Sequence, residues 1–366
     1  MRVLIAPDKF KGTLTAKQAA AAMAEGVRRV WPNAEIVTCP MSDGGDGFVE
    51  IMCDAQDGRR ITRTVCGPLP GMRVDAAMGL LGDDAVIEVA SAAGLVLVPE
   101  DQRNPLNTTS FGVGELLRFA VGMDCRQALL GLGGSATCDA GLGALQALGC
   151  PITLDDSSVH TADDPPLCGR HLARVTSVGR PGMADGLRVG LFCDVTNPLC
   201  GPNGSAHVFG PQKGATPPQV EQLDAGLRHF ADVIGGDPDS PGAGAAGGIG
   251  FGLAAALPVE PTAGLTLLAE MNGFFDEPAW ADVVLTGEGR YDATSRAGKV
   301  VGFVAEMTRE HNGCPCLAFC GSAASSGDDT CEVISLAERV GERAAMSEPA
   351  RHLADAVADH LRTLRQ

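Results

Sequence analysis

Acidic side chains stand beside glycines and lysines at the ends of apolar runs throughout this sequence. Asp8 follows MRVLIAP, Asp43 and Asp46 lie in SDGGDG, Asp194 ends RVGLFC, and Glu288 and Asp292 flank Arg290 in GEGRYD. Oxygen donors of this kind suit magnesium with phosphates, and a carboxylate can take the proton of an attacking hydroxyl. Of the 28 basic residues only Lys9, Lys11, Lys17, Lys213 and Lys299 are lysine. Four of these lie near glycines in DKFKG, FGPQKG and RAGK, where a compact ammonium fits phosphate or carboxylate. Singly, such acids and lysines are ordinary turn, cap and loop residues. Together at strand ends they point to phosphoryl transfer.

The stretch that must organise them is Gln127 to Gly149, QALLGLGGSATCDAGLGALQALG, read as strand, glycine turn and helix. Gly131, Gly133 and Gly134 let the backbone turn, Ser135 and Thr137 offer hydroxyls, and Asp139 can accept from the first amides of the helix. An oxyanion above this turn would meet amides, hydroxyls and a helix dipole together. The plainer reading is a tight strand-to-helix turn without a ligand. A dinucleotide fingerprint also fits, with Gly131, Gly133 and Ala136 followed by Asp155 or Asp156 as a ribose-binding acid. Gly242, Gly244 and Gly247 repeat the spacing in PGAGAAGGIG, but no strand precedes them. The P-loop signature is absent around Gly298, Lys299 and Val300, and neither H-x-x-x-H nor G-x-S-x-G occurs.

Around that centre the elements read as α/β. Val3 to Ala6 is a strand, Thr15 to Gln18 has capping-box spacing, and Ala19, Met23, Val27 and Val30 mark the buried face of the helix that follows. Glu35 to Cys39, Leu129 onward, Val189 to Cys193, Asp282 to Leu285 and Leu317 to Cys320 read as further core strands, and the pattern predicts a doubly wound parallel sheet. From Arg59 to Val89 the period drops to two around Pro-Gly and Gly-Asp-Asp turns, which is hairpin grammar. Helices are expected over Thr108 to Val121, after Thr216 and Pro217, over Gly298 to His311, and from near Ser347.

With 366 residues and 45% hydrophobic composition, the chain can bury a large core, and its length favours two domains. A net charge of -17 argues against nucleic acid or an anionic membrane as the main partner. No run is long and apolar enough for a membrane span, and the N-terminus opens on a strand, so a cytoplasmic protein is expected. The 13 cysteines lack framework spacing and fit reduced thiols, with Cys314, Cys316 and Cys320 as small buried hydrophobes.

APDKFKGTLTA, SDGGDG, NPLNTTSFGVGELL, GGSATCDAG, FCDVTNPLCGPNGSAHVFGPQKGAT, PGAGAAGGIG and TGEGRYD with AGKVVG together resemble the bacterial glycerate kinase family, of the glycerate 2-kinase type. The resemblance runs from Arg2 to about Ser322. It implies an ATP- and magnesium-dependent kinase acting on D-glycerate, most often at the 2-hydroxyl. It also implies a flavodoxin-like domain plus a second α/β domain with an exchanged β-hairpin, an arrangement compatible with a homodimer. On that basis residues 1–58, 112–196 and 280–366 are expected in the first domain, and 59–111 and 197–279 in the second. We assign Asp194 as base, and Lys9, Lys11 and Arg290 to the transferring phosphoryl group or the glycerate carboxylate. Gly133, Gly134, Ser135, Thr137, Gly244, Gly247, Lys213 and Lys299 are assigned to nucleotide binding, and Asp292 and Asp43 to magnesium. Two alternatives stand beside this: an NAD(P)-dependent dehydrogenase of a small hydroxy acid, and a non-catalytic metabolite-binding protein.

Overall fold

A computed structural model describes residues 1–181, 186–192, 195–276, 280–296, 299–311, 313–324 and 330–364. Its strands, in chain order, are β1 (Arg2–Ile5), β2 (Glu35–Thr38), β3 (Arg59–Cys66), β4 (Arg73–Leu81), β5 (Asp84–Glu88), β6 (Gln127–Gly131) and β7 (Ile152–Leu154). There follow β8 (Val159–His160), β9 (Val175–Val178), β10 (Arg188–Phe192), β11 (Val259–Thr262), β12 (Val283–Tyr291), β13 (Cys316–Ala323) and β14 (Glu332–Ser335). Two compact units result, residues 1–43 with 265–366, and residues 44–264.

The first unit is a five-stranded sheet in the order β14-β13-β12-β1-β2, every pairing parallel. Numbered within the unit, this is 2-1-3-4-5, the flavodoxin-like order, whose topological switch point lies between its first and third strands. Val3, Leu4 and Ile5 are wholly buried, as a parallel strand covered on both faces requires. The helix Ala16–Val30 begins on the expected capping box: Gln18 N donates to Thr15 Oγ1 at 3.2 Å and Thr15 N to Gln18 Oε1 at 2.9 Å. Its buried Ala19, Met23, Val27 and Val30 share a core with Leu353, Val357 and Leu361 of the helix Pro349–Leu364. At Gly26 a Cβ would lie 2.5 Å from Ala354 O, so a bulkier residue there would push the two helices apart.

The second unit has a six-stranded sheet, β11-β10-β6-β5-β4-β3. Four strands are parallel, and β3 and β4 form the predicted antiparallel hairpin at one edge, paired to this chain's own β5. Glu88, Gly131, Phe192 and Thr262 stand level at the carboxyl ends of the parallel strands. A small sheet, β8-β7-β9, is antiparallel.

The domain division therefore differs from the one expected. Residues 112–196 do not join the flavodoxin-like unit, because β6 hydrogen-bonds to β5 and β10 along its length and to neither β1 nor β12. The hairpin continues this same sheet instead of leaving a core. Among the described residues, no helix is long and apolar enough to cross a membrane.

Candidate functional site

Acidic and basic side chains gather at the switch point of the flavodoxin-like unit. Ala6 N donates to Leu285 O and Asp8 N to Gly287 O, both at 2.8 Å, which lays the chain after β1 along the middle of β12. A Cβ on Gly289 would lie 2.8 Å from Lys11 N, so glycine at this place lets the DKFKG turn close on β12. Asp8, 7% exposed, accepts from its neighbour Lys9 N at 2.7 Å. Lys9 Nζ donates to Asp43 Oδ1 at 2.9 Å and stands 3.7 Å from Asp8 Oδ1.

Burial pushes the Asp8 carboxyl up to about 7, with the Asp43 charge adding to the rise and Lys9 opposing it. Burial also raises Glu288, against a hydrogen bond from Ser295 and the charge of Lys299, while Asp292 and Asp43 push it further. Glu288 Oε1 is buried with no hydrogen-bond partner among the described residues. Arg290 is exposed and its Nε stands 4.0 Å from Asp292 Oδ2; Lys11 is exposed as well. Asp292 N donates to Ser295 Oγ at 2.9 Å, fixing the turn after β12. Lys9, Asp43, Asp292 and Lys299 thus meet in one electrostatic neighbourhood, while Asp194 lies outside the described residues.

The glycine turn of the second unit has another character. Lys213 is 4% exposed, and its Nζ donates to Ser135 Oγ at 2.9 Å and to Thr137 O at 2.7 Å. Burial lowers its pKa. Ser135, Thr137 and Lys213 are brought together, with the lysine bonded to the Ser135 hydroxyl and the Thr137 carbonyl. The glycines serve close backbone approach. Gly133 N donates to Gly44 O at 3.1 Å, and a Cβ on Gly133 would meet Gly45 at 2.6 Å. The SDGGDG loop lies where a free row of amides was expected, and only Gly134 of this turn is exposed. A Cβ on Gly244 would lie 2.2 Å from Pro198 O, and one on Gly247, at φ +77°, would lie 2.0 Å from Thr137 O. Asp139 is wholly buried and accepts from Ser110 N and Oγ at 2.8 Å and from Gly141 and Gly143 N at 3.3 Å, the predicted capping role.

The dinucleotide reading fails on its acid. Asp155 and Asp156 lie beside the small antiparallel sheet and pair with Arg174, each at 2.8 Å. Sequence reasoning noticed Asp8 and Glu288 at strand ends without placing them among the site residues. Their signal is an apolar run leading straight into an acid, which leaves the carboxyl buried, just past β1 at Asp8 and within the longer β12 at Glu288.

A family model described as the glycerate kinase family matches residues 3–365. The chain belongs to the glycerate kinase family. It is 44% identical over 333 residues to a glycerate kinase of Haemophilus influenzae, covering 88% of this chain and 86% of that protein. It is 39% identical over 337 residues to a glycerate 2-kinase of Escherichia coli, covering 88% and 85%. A crystal structure designated glycerate kinase 2, from Salmonella typhimurium LT2, superposes with a TM-score of 0.79 at 37% identity, covering 100% of this chain and 98% of that one. Membership in this family rules against the dehydrogenase and the non-catalytic alternatives.

Proposed function

We infer that this glycerate kinase transfers the γ-phosphoryl group of ATP to D-glycerate at the 2-hydroxyl, giving 2-phosphoglycerate and ADP. The observation that carries the reading is the charged group at the switch point, Asp8, Lys9, Asp43 and Glu288, in a chain matched to the family nearly end to end. Open α/β sheets bind ligands at the carboxyl ends of strands beside such a point.

In the proposed step the hydroxyl oxygen bonds to the γ-phosphorus, the bond from that phosphorus to the bridging oxygen of ADP breaks, and the hydroxyl proton passes to a carboxylate. Asp194 is our candidate for that base. Lys9, Lys11 and Arg290 would offset charge on the phosphoryl group or the glycerate carboxylate, since positioning and charge stabilisation supply most catalysis here. Lys299 would join them at the phosphates. Of the residues assigned to the nucleotide, Gly134, the exposed member of its turn, and the neighbouring Ser135 would face the phosphates, whereas Gly133, Thr137, Gly244, Gly247 and Lys213 hold that turn together by close packing and hydrogen bonds.

The residues around Glu288 fit magnesium. Its orphaned Oε1 and the mutual repulsion of Asp8, Asp43, Glu288 and Asp292 make a hard-oxygen neighbourhood that favours a cation. Asp43 and Asp292 would hold it, and when bound it would neutralise phosphate oxygens. Among the described residues no group of three or more ligating side chains is set as a cage. That is compatible with an ion that takes one or two carboxylates and the substrate's phosphates. Free, mostly buried thiols suit a cytoplasmic setting.

The test is glycerate-dependent ADP release with ATP and magnesium, the product read by phosphorus NMR and the assembly, monomer or homodimer, by light scattering. A 2-phosphoglycerate resonance is expected, and Asp194→Asn should lower kcat by about 10²-fold or more. Absence of turnover by folded protein would sink the reading.

A further inference from the structure

The second unit contains a cavity of about 800 Å³ among Leu191, Thr196, Ile234, Phe251, Ala255 and Thr262. It lies at the carboxyl ends of the neighbouring parallel strands β10 and β11, where Leu191 and Phe192 stand level with Pro261 and Thr262. Its volume is that of a small-molecule site. No lysine, arginine or histidine occurs among its described lining residues, which are mostly apolar or glycine. Glycerate and a triphosphate are therefore poor occupants, and an uncharged, flat, partly apolar group is a good one.

The wall of the cavity continues into the phosphate-assigned turn. Gly242 and Ala243 line the cavity, and a few residues on, the same segment packs on the glycine turn after β6. There Thr137 Oγ1 donates to Ala246 O at 3.4 Å, and Ala140 N donates to Gly247 O at 2.9 Å. On the far side Gly236 lies flat against Phe251, whose ring a Cβ would approach to 2.6 Å. Asp237 stands exposed at the rim, its Oδ2 accepting from Ser240 Oγ at 3.1 Å.

We propose that this cavity receives the adenine base of ATP, with the ribose hydroxyls at Asp237 and the phosphates leaving the cavity past Gly242 toward the exposed Gly134. An acid at the rim suits a ribose diol, as in other nucleotide folds. The proposal rests on ATP as the donor and adds where its nucleoside sits.

Photolabelling of the native protein with 8-azido-ATP, followed by peptide mapping, tests it without any mutation. Label recovered within residues 234–263 and displaced by ATP supports the cavity; ATP-displaceable label found only elsewhere, or none at all, overturns it. In a second arm, Ala255→Trp fills the cavity from its exposed wall. KM for ATP should rise about 10- to 100-fold with KM for glycerate within about two-fold. An unchanged KM for ATP, or a rise confined to glycerate, would overturn the assignment. Wild-type turnover, measured separately, tells failure of the cavity from failure of the kinase reading.

Discussion

Two strand-end clusters in this protein carry lysines beside glycines, and they differ in how their charge is met. In the flavodoxin-like unit Lys9 stands among acids that outnumber it, Asp8 and Glu288 are held above their ordinary carboxyl range, and Glu288 keeps a buried oxygen without a partner among the described residues. In the other unit Lys213 is enclosed by neutral acceptors, and the glycines around it are occupied by backbone packed against backbone. The first arrangement stores electrostatic strain that substrate and cation can relieve; the second spends its polar atoms on holding a turn together. Glycine and lysine in a motif do not distinguish these cases, because both roles call for the same residues.

The sharpest way to break the comparison is Gly247→Ala. A Cβ 2.0 Å from Thr137 O, at φ +77°, forces the segments apart, and a loss of about 3–5 kcal/mol is expected in denaturant unfolding. Wild-type stability would show that the turn tolerates movement and that its glycines are free for a ligand.

Next in size is a matched pair. Lys213→Met leaves Thr137 O buried without its donor and should cost about 1–3 kcal/mol of stability. Lys9→Met leaves Asp8 without its cation, but Asp8 can take up a proton in response, so a smaller stability loss is expected there, with kcat/KM lowered by about 10²-fold or more. Exchange of these two phenotypes would reverse the assignment of the clusters.

The smallest expected effect concerns Asp8. Its folded carboxyl titrates near 7, against roughly 4 in an unfolded chain, so the folded state keeps a proton that the unfolded state releases between these values. The stability contribution of this group is thus most favourable below about pH 4 and is lost as pH rises through 7. Asp8→Asn should raise Tm by about 2–4 °C at pH 8, and the gain should shrink toward pH 5. A difference that does not vary with pH would show that Asp8 is not the buried acid of this cluster.

Much of the local structure was legible in the sequence because it depends on neighbours a few residues apart. Thr15 with Gln18 set the start of the first long helix, Thr216 with Pro217 did the same for Pro217–Ile234, and the period-two run from Arg59 gave the hairpin. Asp139 was readable as a cap for the same reason. The family motifs, each a contiguous block, were readable as well. The domain division was not. Which sheet accepts β6 depends on strands at distant points of the chain, and an apolar run such as Ala128 to Leu130 suits any parallel sheet equally. Tertiary structure alone decided that Gly133 admits the SDGGDG loop, that Lys213 turns inward, and that Asp8 and Glu288 share one charged site. The reason is physical: burial and charge are properties of assembled neighbours, and a residue's type does not contain them.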